Sequence, residues 1–121
     1  MHNAEQNTGA SGFACPRCGG ALWVRHDGES TSFECRIGDA FSAMQLWIEH
    51  CAARNEALLE AARHLAENAA LARELAAWAN ERGDARAAAR LAEEANYEAR
   101  GYEQVRRLLD GLETEDEKTT G

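Results

Sequence analysis

The sequence predicts a mainly α protein, in which a small N-terminal β-hairpin is followed by a long antiparallel two-helix coiled-coil hairpin. The second half of the 121-residue chain is dominated by alanine, and its apolar residues recur at heptad spacing. One proline in the whole chain leaves room for long uninterrupted helices. The N-terminal part instead has short β-prone stretches around the pair Cys15 and Cys18.

Composition narrows the class of partner. The formal net charge is −8 and the pI is near 5.0, which disfavours nucleic acid and anionic membranes as partners. We therefore expect a protein partner or a homodimer, and no small-molecule substrate. No apolar run approaches the length of a membrane span, and the N-terminus lacks the pattern of a signal peptide. The expected location is cytoplasmic, where closely spaced cysteines indicate a metal site before disulfides.

The first two segments differ in pattern. Residues 1–12 are small and polar without periodicity, so we expect a disordered leader. Residues 13–41 alternate polar and apolar side chains around an Asp-Gly turn signal at 27–28, which is typical of a β-hairpin. Trp23 and Phe33 in these strands either pack around the metal site or provide a contact for a partner.

The cysteine spacing predicts a metal site of the zinc-ribbon type. Two cysteines separated by two residues and followed by glycine form a tight turn, and a third cysteine follows after sixteen intervening residues. About 30 residues cannot bury enough apolar surface to fold alone, so we expect a structural Zn²⁺. The predicted ligands are Cys15, Cys18, Cys35 and Asp39. Cys51, a softer ligand, and His26 stay open as alternatives for the fourth position, and buried thiols without any metal are the alternative to a site.

The start of the first helix, predicted over about residues 42–82, has clear signals. Ser42 is followed three residues later by Gln45, which is a capping-box pattern. Phe41 before the cap can pack against Leu46 as a hydrophobic staple. Together these contacts would set the direction in which the helix leaves the β-unit.

Gly83 and Asp84 predict the reversal between the helices, because glycine suits a helix C-terminus and aspartate an N-cap. The helical hairpin is accordingly predicted over residues 42–112, with its second helix at about 84–112. Residues 113–121 are acidic and without pattern, so we expect a disordered tail.

Heptad spacing predicts which side of each helix faces the other. In the first helix this seam comprises Met44, Ile48, Cys51, Asn55, Leu58, Ala62, Leu65, Ala69, Ala72, Ala76 and Ala79. In the second it comprises Ala85, Ala88, Ala92, Ala95, Ala99 and Tyr102. A second apolar stripe lies beside these seams, at Leu59, Leu71, Leu75, Trp78 and Leu91. The predicted partner-binding residues are Leu71, Leu75, Trp78 and Leu91. On so thin a structure such a stripe indicates a partner, either a second copy or another protein, unless the intramolecular seam is broad enough to cover it.

No catalytic or cofactor-binding residues are predicted, and we do not expect an enzyme. The sequence contains no nucleophile elbow, no glycine-rich phosphate loop and no His-Glu-x-x-His pair. His50 and Cys51 are adjacent on the helix and therefore point about 100° apart, so they cannot form a catalytic couple.

Residues 12–23 (GFACPRCGGALW) and 33–42 (FECRIGDAFS), with the alanine-rich hairpin that follows, resemble the C-terminal extension of some bacterial CheB-type chemotaxis protein-glutamate methylesterases. The resemblance covers about residues 11–110. In that family the position of Asp39 is usually histidine. The catalytic domain of these esterases has no counterpart in the 121 residues, so the resemblance implies a stand-alone module of bacterial signalling rather than an esterase.

The leading hypothesis is a non-enzymatic protein-interaction or oligomerisation module with a structural zinc site. The alternative is a transcription regulator that reaches RNA polymerase with the acidic hairpin tip, residues 81–84, which is an analogy of shape. Direct DNA binding by the β-unit is disfavoured because residues 13–41 carry three arginines against four acidic residues.

Overall fold

The computed structural model describes residues 8–120, with side chains from Gly9 to Lys118. The chain is mostly helical, with a small four-stranded antiparallel sheet before two long helices. The elements are β1 (Thr8–Ala14), β2 (Ala21–Asp27), β3 (Ser30–Cys35), β4 (Ala40–Ser42), α1 (Ala43–Glu81) and α2 (Ala85–Thr120). The chain divides into two compact units, Met1–Ala53 and Arg54–Gly121, and each is described by itself.

The predicted hairpin forms the middle of a larger sheet of order β1-β2-β3-β4. Asp27 pairs with Ser30, so β2 and β3 are joined by the two-residue turn Gly28-Glu29. Gly28 has a φ of 64°, a conformation that glycine adopts without steric cost. The short strand β4 then adds to β3 and leads directly into α1.

Strand β1 corrects the prediction of a disordered leader. Gly9 pairs with Val24 and Ala10 pairs with Trp23, so residues 8–12 belong to the sheet, while residues 1–7 lie outside the described part. The pairing uses backbone groups of β2 that β3 leaves available, and it does not require an alternating apolar pattern. Composition alone therefore gave no sign of this strand.

A small core holds the first unit together. Leu22, Phe41 and Leu46 are buried against Cys15 and Cys35, with Phe33 packed at the side, while Trp23 is exposed. Phe41 and Leu46 lie in one cluster, as the staple predicts. The capping box is also confirmed, because Gln45 N–H donates to Ser42 Oγ at 3.1 Å and Ser42 N–H donates to Gln45 Oε1 at 2.9 Å.

In the second unit the two helices run antiparallel, as predicted. Asn68 Nδ2 donates to Glu98 Oε1 at 2.7 Å, and nearer the ends Arg54 pairs with Asp116 at 2.8 Å. A Cβ atom placed on Gly101 would lie 3.3 Å from a methyl carbon of Leu65. Glycine on α2 thus makes room for a leucine of α1.

The reversal at Gly83 follows the predicted chemistry. Gly83 has a φ of 78°, its N–H donates to Asn80 O at 3.0 Å, and the Asp84 N–H donates to Ala79 O at 2.8 Å. This is the Schellman arrangement, which satisfies carbonyl groups at the end of α1. The Asp84 carboxylate then accepts a hydrogen bond from Ala87 N–H at 3.1 Å and caps α2.

The seams are partly as predicted. Buried residues on α1 include Cys51, Ala62, Ala69, Ala72 and Ala79, and buried residues on α2 include Ala88, Ala95 and Leu109. At the start of α1, however, Met44 and Ile48 are exposed. On α2, Ala85 and Ala92 are also exposed, and Leu91 is half-buried instead. The seam of α2 thus continues from Ala88 in steps of three and four through Leu91 and Ala95, and it does not include Ala92.

Helix α2 extends to Thr120, so the predicted disordered tail is helical over residues 113–120. Asp116 in this segment accepts hydrogen bonds from Arg54 Nη2 at 2.8 Å and Asn55 Nδ2 at 3.0 Å. These hydrogen bonds to α1 stabilise the helical conformation of the acidic segment.

In the described part of the chain, no helix combines the length and hydrophobicity needed to cross a membrane.

Candidate metal centre

The first ligand-bearing turn is built by the Cys-x-x-Cys-Gly-Gly sequence. Cys15 N–H donates to Gly20 O at 2.7 Å, and Gly19 N–H donates back to Cys15 O at 2.8 Å. Gly19 has a φ of 78°, which favours glycine at this position. The Gly20 N–H then points at Cys18 Sγ, 3.4 Å away. The local sequence therefore closes a loop that presents two sulfur atoms on the same side.

A second turn at the end of β3 presents the other two groups. Cys35 N–H donates to Asp39 O at 3.0 Å, and Gly38, with a φ of 108°, donates to Cys35 O at 3.1 Å. The turn is similar to the first, but its glycine comes one residue earlier. In this second turn the potential ligand Asp39 follows the glycine, whereas in the first turn Cys18 precedes it. This explains how an aspartate four residues after Cys35 reaches the site.

The two turns bring four potential ligands together. The sulfur and carboxylate oxygen atoms of Cys15, Cys18, Cys35 and Asp39 all lie within 4.8 Å of one another. Asp39 Oδ2 lies 3.7 Å from the sulfur of Cys15 and 3.7 Å from that of Cys35. In a tetrahedral site, zinc–sulfur bonds of about 2.3 Å and zinc–oxygen bonds of about 2.0–2.2 Å place sulfur and oxygen about 3.5–3.7 Å apart. The two sulfur–oxygen distances thus fit a tetrahedral site.

The other candidates for the fourth position lie elsewhere. His26 is near the hairpin turn, where its Nδ1 atom is 3.0 Å from Thr31 Oγ1. Cys51 is buried on α1 and does not belong to the cluster. Of these three candidates, the fold therefore brings Asp39 to the cysteines.

The surroundings of Cys35 and Cys18 shift the pKa values of the two thiols in opposite directions. Burial disfavours ionisation of Cys35, but the backbone N–H groups of Asp39, Ile37 and Gly38 offset this and lower the pKa of its thiol. For Cys18 the Gly20 N–H favours the thiolate, yet desolvation and the neighbouring sulfur atoms leave its pKa raised. A metal cation would favour the thiolate at all three positions, because it neutralises their charge.

Burial distinguishes the ligands from one another. Cys15 and Cys35 are 1% and 6% exposed, Asp39 is half-buried and Cys18 is exposed. Four protein ligands fill a tetrahedral site and leave no position for a substrate, which is the arrangement of structural sites. The four residues could therefore hold one ion, which would connect the two turns.

Arg17, which the sequence analysis did not single out, connects this cluster to α1. Its Nε and Nη2 atoms donate to the two carboxylate oxygens of Glu49 at 3.1 and 2.6 Å. Its Nη1 atom lies 3.6 Å from Asp39 Oδ1, and the guanidinium carbon is 4.9 Å from the centre of the Phe41 ring. The hydrogen bonds and charge of this pair raise the pKa of Arg17 and lower that of Glu49. Asp39 and Glu49 lie 22 and 32 positions after Arg17, so no short sequence pattern around Arg17 predicts these contacts.

A second contact links the same parts of the first unit. The His50 Nε2 atom donates to the backbone carbonyl of Ala14 at 2.9 Å, immediately before the first cysteine. Phe13 and Trp47 line a mostly apolar cavity of about 380 Å³ beside this contact. The beginning of α1 is thus attached to the cysteine turn by polar contacts on either side of Cys15.

The residues predicted to bind a partner differ in exposure. On α1, Leu71 is 54% and Trp78 is 48% exposed, while Leu75 is half-buried; on α2, Leu91 is half-buried. Leu71 and Trp78 therefore present the accessible part of the stripe, and Leu75 lies between them towards the seam. Tyr97 and Leu108 on α2 are also exposed, which the sequence analysis did not anticipate.

Comparison with protein-family models, with curated proteins and with solved structures finds no match to this chain. The similarity to the esterase extension therefore stays a prediction from the sequence motifs. The chemistry of the four clustered residues is what the structure itself offers as a guide to function.

Proposed function

We propose that this chain is a non-enzymatic protein-interaction module, in which a structural Zn²⁺ organises the N-terminal unit and the helical hairpin associates with a second copy of the chain. The observation that carries the proposal is the convergence of Cys15, Cys18, Cys35 and Asp39 from two separate turns. Such a set is complete for a structural ion and leaves no open coordination position for catalysis.

Zinc is the ion that these ligands suit best. Three thiolates favour a borderline-soft ion, and zinc also accepts a carboxylate oxygen. The sulfur–oxygen distances of 3.7 Å support the tetrahedral geometry that zinc prefers. The energetic need for the ion comes from the small size of the first unit, whose buried core includes two of the cysteines themselves.

The exposed stripe on α1 supports the association. The residues buried between the helices are mostly alanines, whereas the larger Leu71 and Trp78 remain exposed. In a two-fold symmetric dimer the same patch lies on both sides, so one interface would cover the stripe of both copies. Around it α1 carries charges of both signs, including Arg73 and Glu74, which allows two identical helices to pack without net repulsion.

Size measurements test this proposal. Size-exclusion chromatography with light scattering should give a dimer for the wild-type chain, and Trp78→Asp should give a monomer. Ala77→Asp is the matched control, since Ala77 is also exposed and adjacent but points about 100° away from Trp78 on the helix. A wild-type chain that is monomeric at all accessible concentrations would remove the dimer from the proposal.

A place in bacterial signalling is the finer part of the proposal, and the sequence resemblance alone supports it. The transcription hypothesis is less well supported, because the capping contact from Ala87 N–H already accounts for an acid at Asp84. Promoter-specific transcription with and without an Asp84→Asn variant, which keeps a capping oxygen, would test that alternative.

A further inference from the structure

We propose that Arg17 is a positioning residue that orients Asp39 at the metal site and couples metal binding to the attachment of the first turns of α1. This inference rests on the proposed metal site and deepens it, because it names the residue through which metal binding would stabilise the first turns of α1. The groups involved all belong to the first unit.

Arg17 is placed between the two cysteines of the first turn, so its backbone moves with the ligands. Its side chain faces Asp39 Oδ1 at 3.6 Å, while Oδ2 of the same carboxylate faces the sulfur atoms at 3.7 Å. One carboxylate therefore has one oxygen directed at the ligand cluster and the other at a guanidinium. Groups that hold the far side of a ligand in this way fix its orientation and strengthen metal binding.

The guanidinium is itself held by α1. Two hydrogen bonds join it to Glu49, at 3.1 and 2.6 Å, and its central carbon lies over the Phe41 ring, 4.9 Å from the ring centre. The bidentate geometry restricts the guanidinium to one orientation, which lysine could not reproduce. The chain of contacts thus runs from the metal ligands through Asp39 and Arg17 to Glu49 on the second turn of α1.

A contact chain of this kind implies a reciprocal effect. If the pair of Arg17 and Glu49 favours the ligand arrangement that binds the ion, then binding the ion must favour the pair by the same factor. Arg17 is half exposed, with 53% of its side chain accessible, so the expected coupling is moderate.

Zinc affinity, measured by competition with a chromophoric chelator, tests the coupling from the metal side. We expect Arg17→Leu to weaken binding about tenfold, as loss of a group behind a metal ligand does. Glu49→Gln keeps the shape of the side chain and should weaken binding about two- to fivefold, the range of a partly exposed ion pair. Arg25→Leu removes an exposed arginine of β2 and should leave the affinity unchanged.

Amide hydrogen exchange tests the coupling from the helix side. In the wild-type chain, saturation with zinc should slow exchange of the amides of residues 47–53. In Glu49→Gln the zinc-induced slowing should be smaller by the same factor as the loss of affinity, because linkage is reciprocal. A purely structural role of Glu49 would slow or speed exchange equally with and without the ion.

The outcomes separate this inference from the proposed metal site. If the wild-type chain binds no zinc, both fail. If it binds zinc but Glu49→Gln has wild-type affinity, or Arg17→Leu matches Arg25→Leu, the coupling is refuted and the metal site stands. Should Arg17→Leu fail to fold, the Glu49→Gln comparison still decides, since it changes one exposed charge.

Discussion

Replacement of Asp39 by alanine is the sharpest test of the metal centre. The fold places the carboxylate oxygen 3.7 Å from two of the sulfur atoms, so Asp39→Ala removes one of four clustered ligands. Structural zinc sites with four ligands bind with about 10–16 kcal/mol, or about 2.5–4 kcal/mol per ligand if divided equally. A carboxylate is a harder ligand than a thiolate and belongs at the lower end of this range. About 2.5 kcal/mol corresponds to a loss of roughly 50- to 100-fold in affinity.

The measurement is a chelator competition on purified protein, with elemental analysis after dialysis to give the stoichiometry. Asp27→Ala, which removes an exposed carboxylate at the hairpin turn, should bind one zinc with unchanged affinity. Cys51→Ala should also keep one zinc, because Cys51 lies outside the cluster. Asp39→His should bind at least as tightly as the wild type, since imidazole is a softer ligand. Wild-type affinity in Asp39→Ala, or loss of zinc in Cys51→Ala, would refute the assignment of the fourth ligand.

Three further substitutions test the fold, with the free energy of unfolding from urea titration as the readout. Leu109→Ala should cost about 2–4 kcal/mol because Leu109 is 1% exposed, whereas Leu108→Ala, at 51% exposure, should cost little; equal costs would contradict the packing of α2. Gly83→Ala should destabilise by about 1–2 kcal/mol because φ is 78°, while Gly111→Ala, inside α2 with open space around it, should stabilise by up to about 1 kcal/mol. Ser42→Ala should cost about 1 kcal/mol through loss of its capping bond, and Ser42→Asp should restore most of it.

Local features were the part of this fold that sequence reasoning predicted well. The capping box at Ser42, the Asp27-Gly28 turn signal and the reversal at Gly83 depend on groups within about five residues of one another, so their chemistry is visible in a short window. Strand β1 and the helical tail were missed for the opposite reason. Their partners are on β2 and α1, and neither segment carries a pattern of its own.

The candidate site shows the same division. The Cys15 and Cys18 spacing indicated a metal turn directly, but three residue types competed for the fourth position. The choice of Asp39 depends on where β3 ends and how tightly the chain turns after Cys35, which is a property of the sheet. The ion pair of Arg17 with Glu49 spans 32 positions and became visible only when α1 was in place.

By itself, then, the sequence determined the central β-hairpin, the two helices and their order, because caps, turns and heptad repeats act over one or two turns of chain. It also determined three of the four clustered residues, through their spacing. Tertiary structure alone decided which group joins the cysteines, which alanines of α2 face α1, and which charges meet around Asp39. Those outcomes depend on distances between segments that are remote in the chain, and backbone pairing and packing set such distances after the local elements have formed.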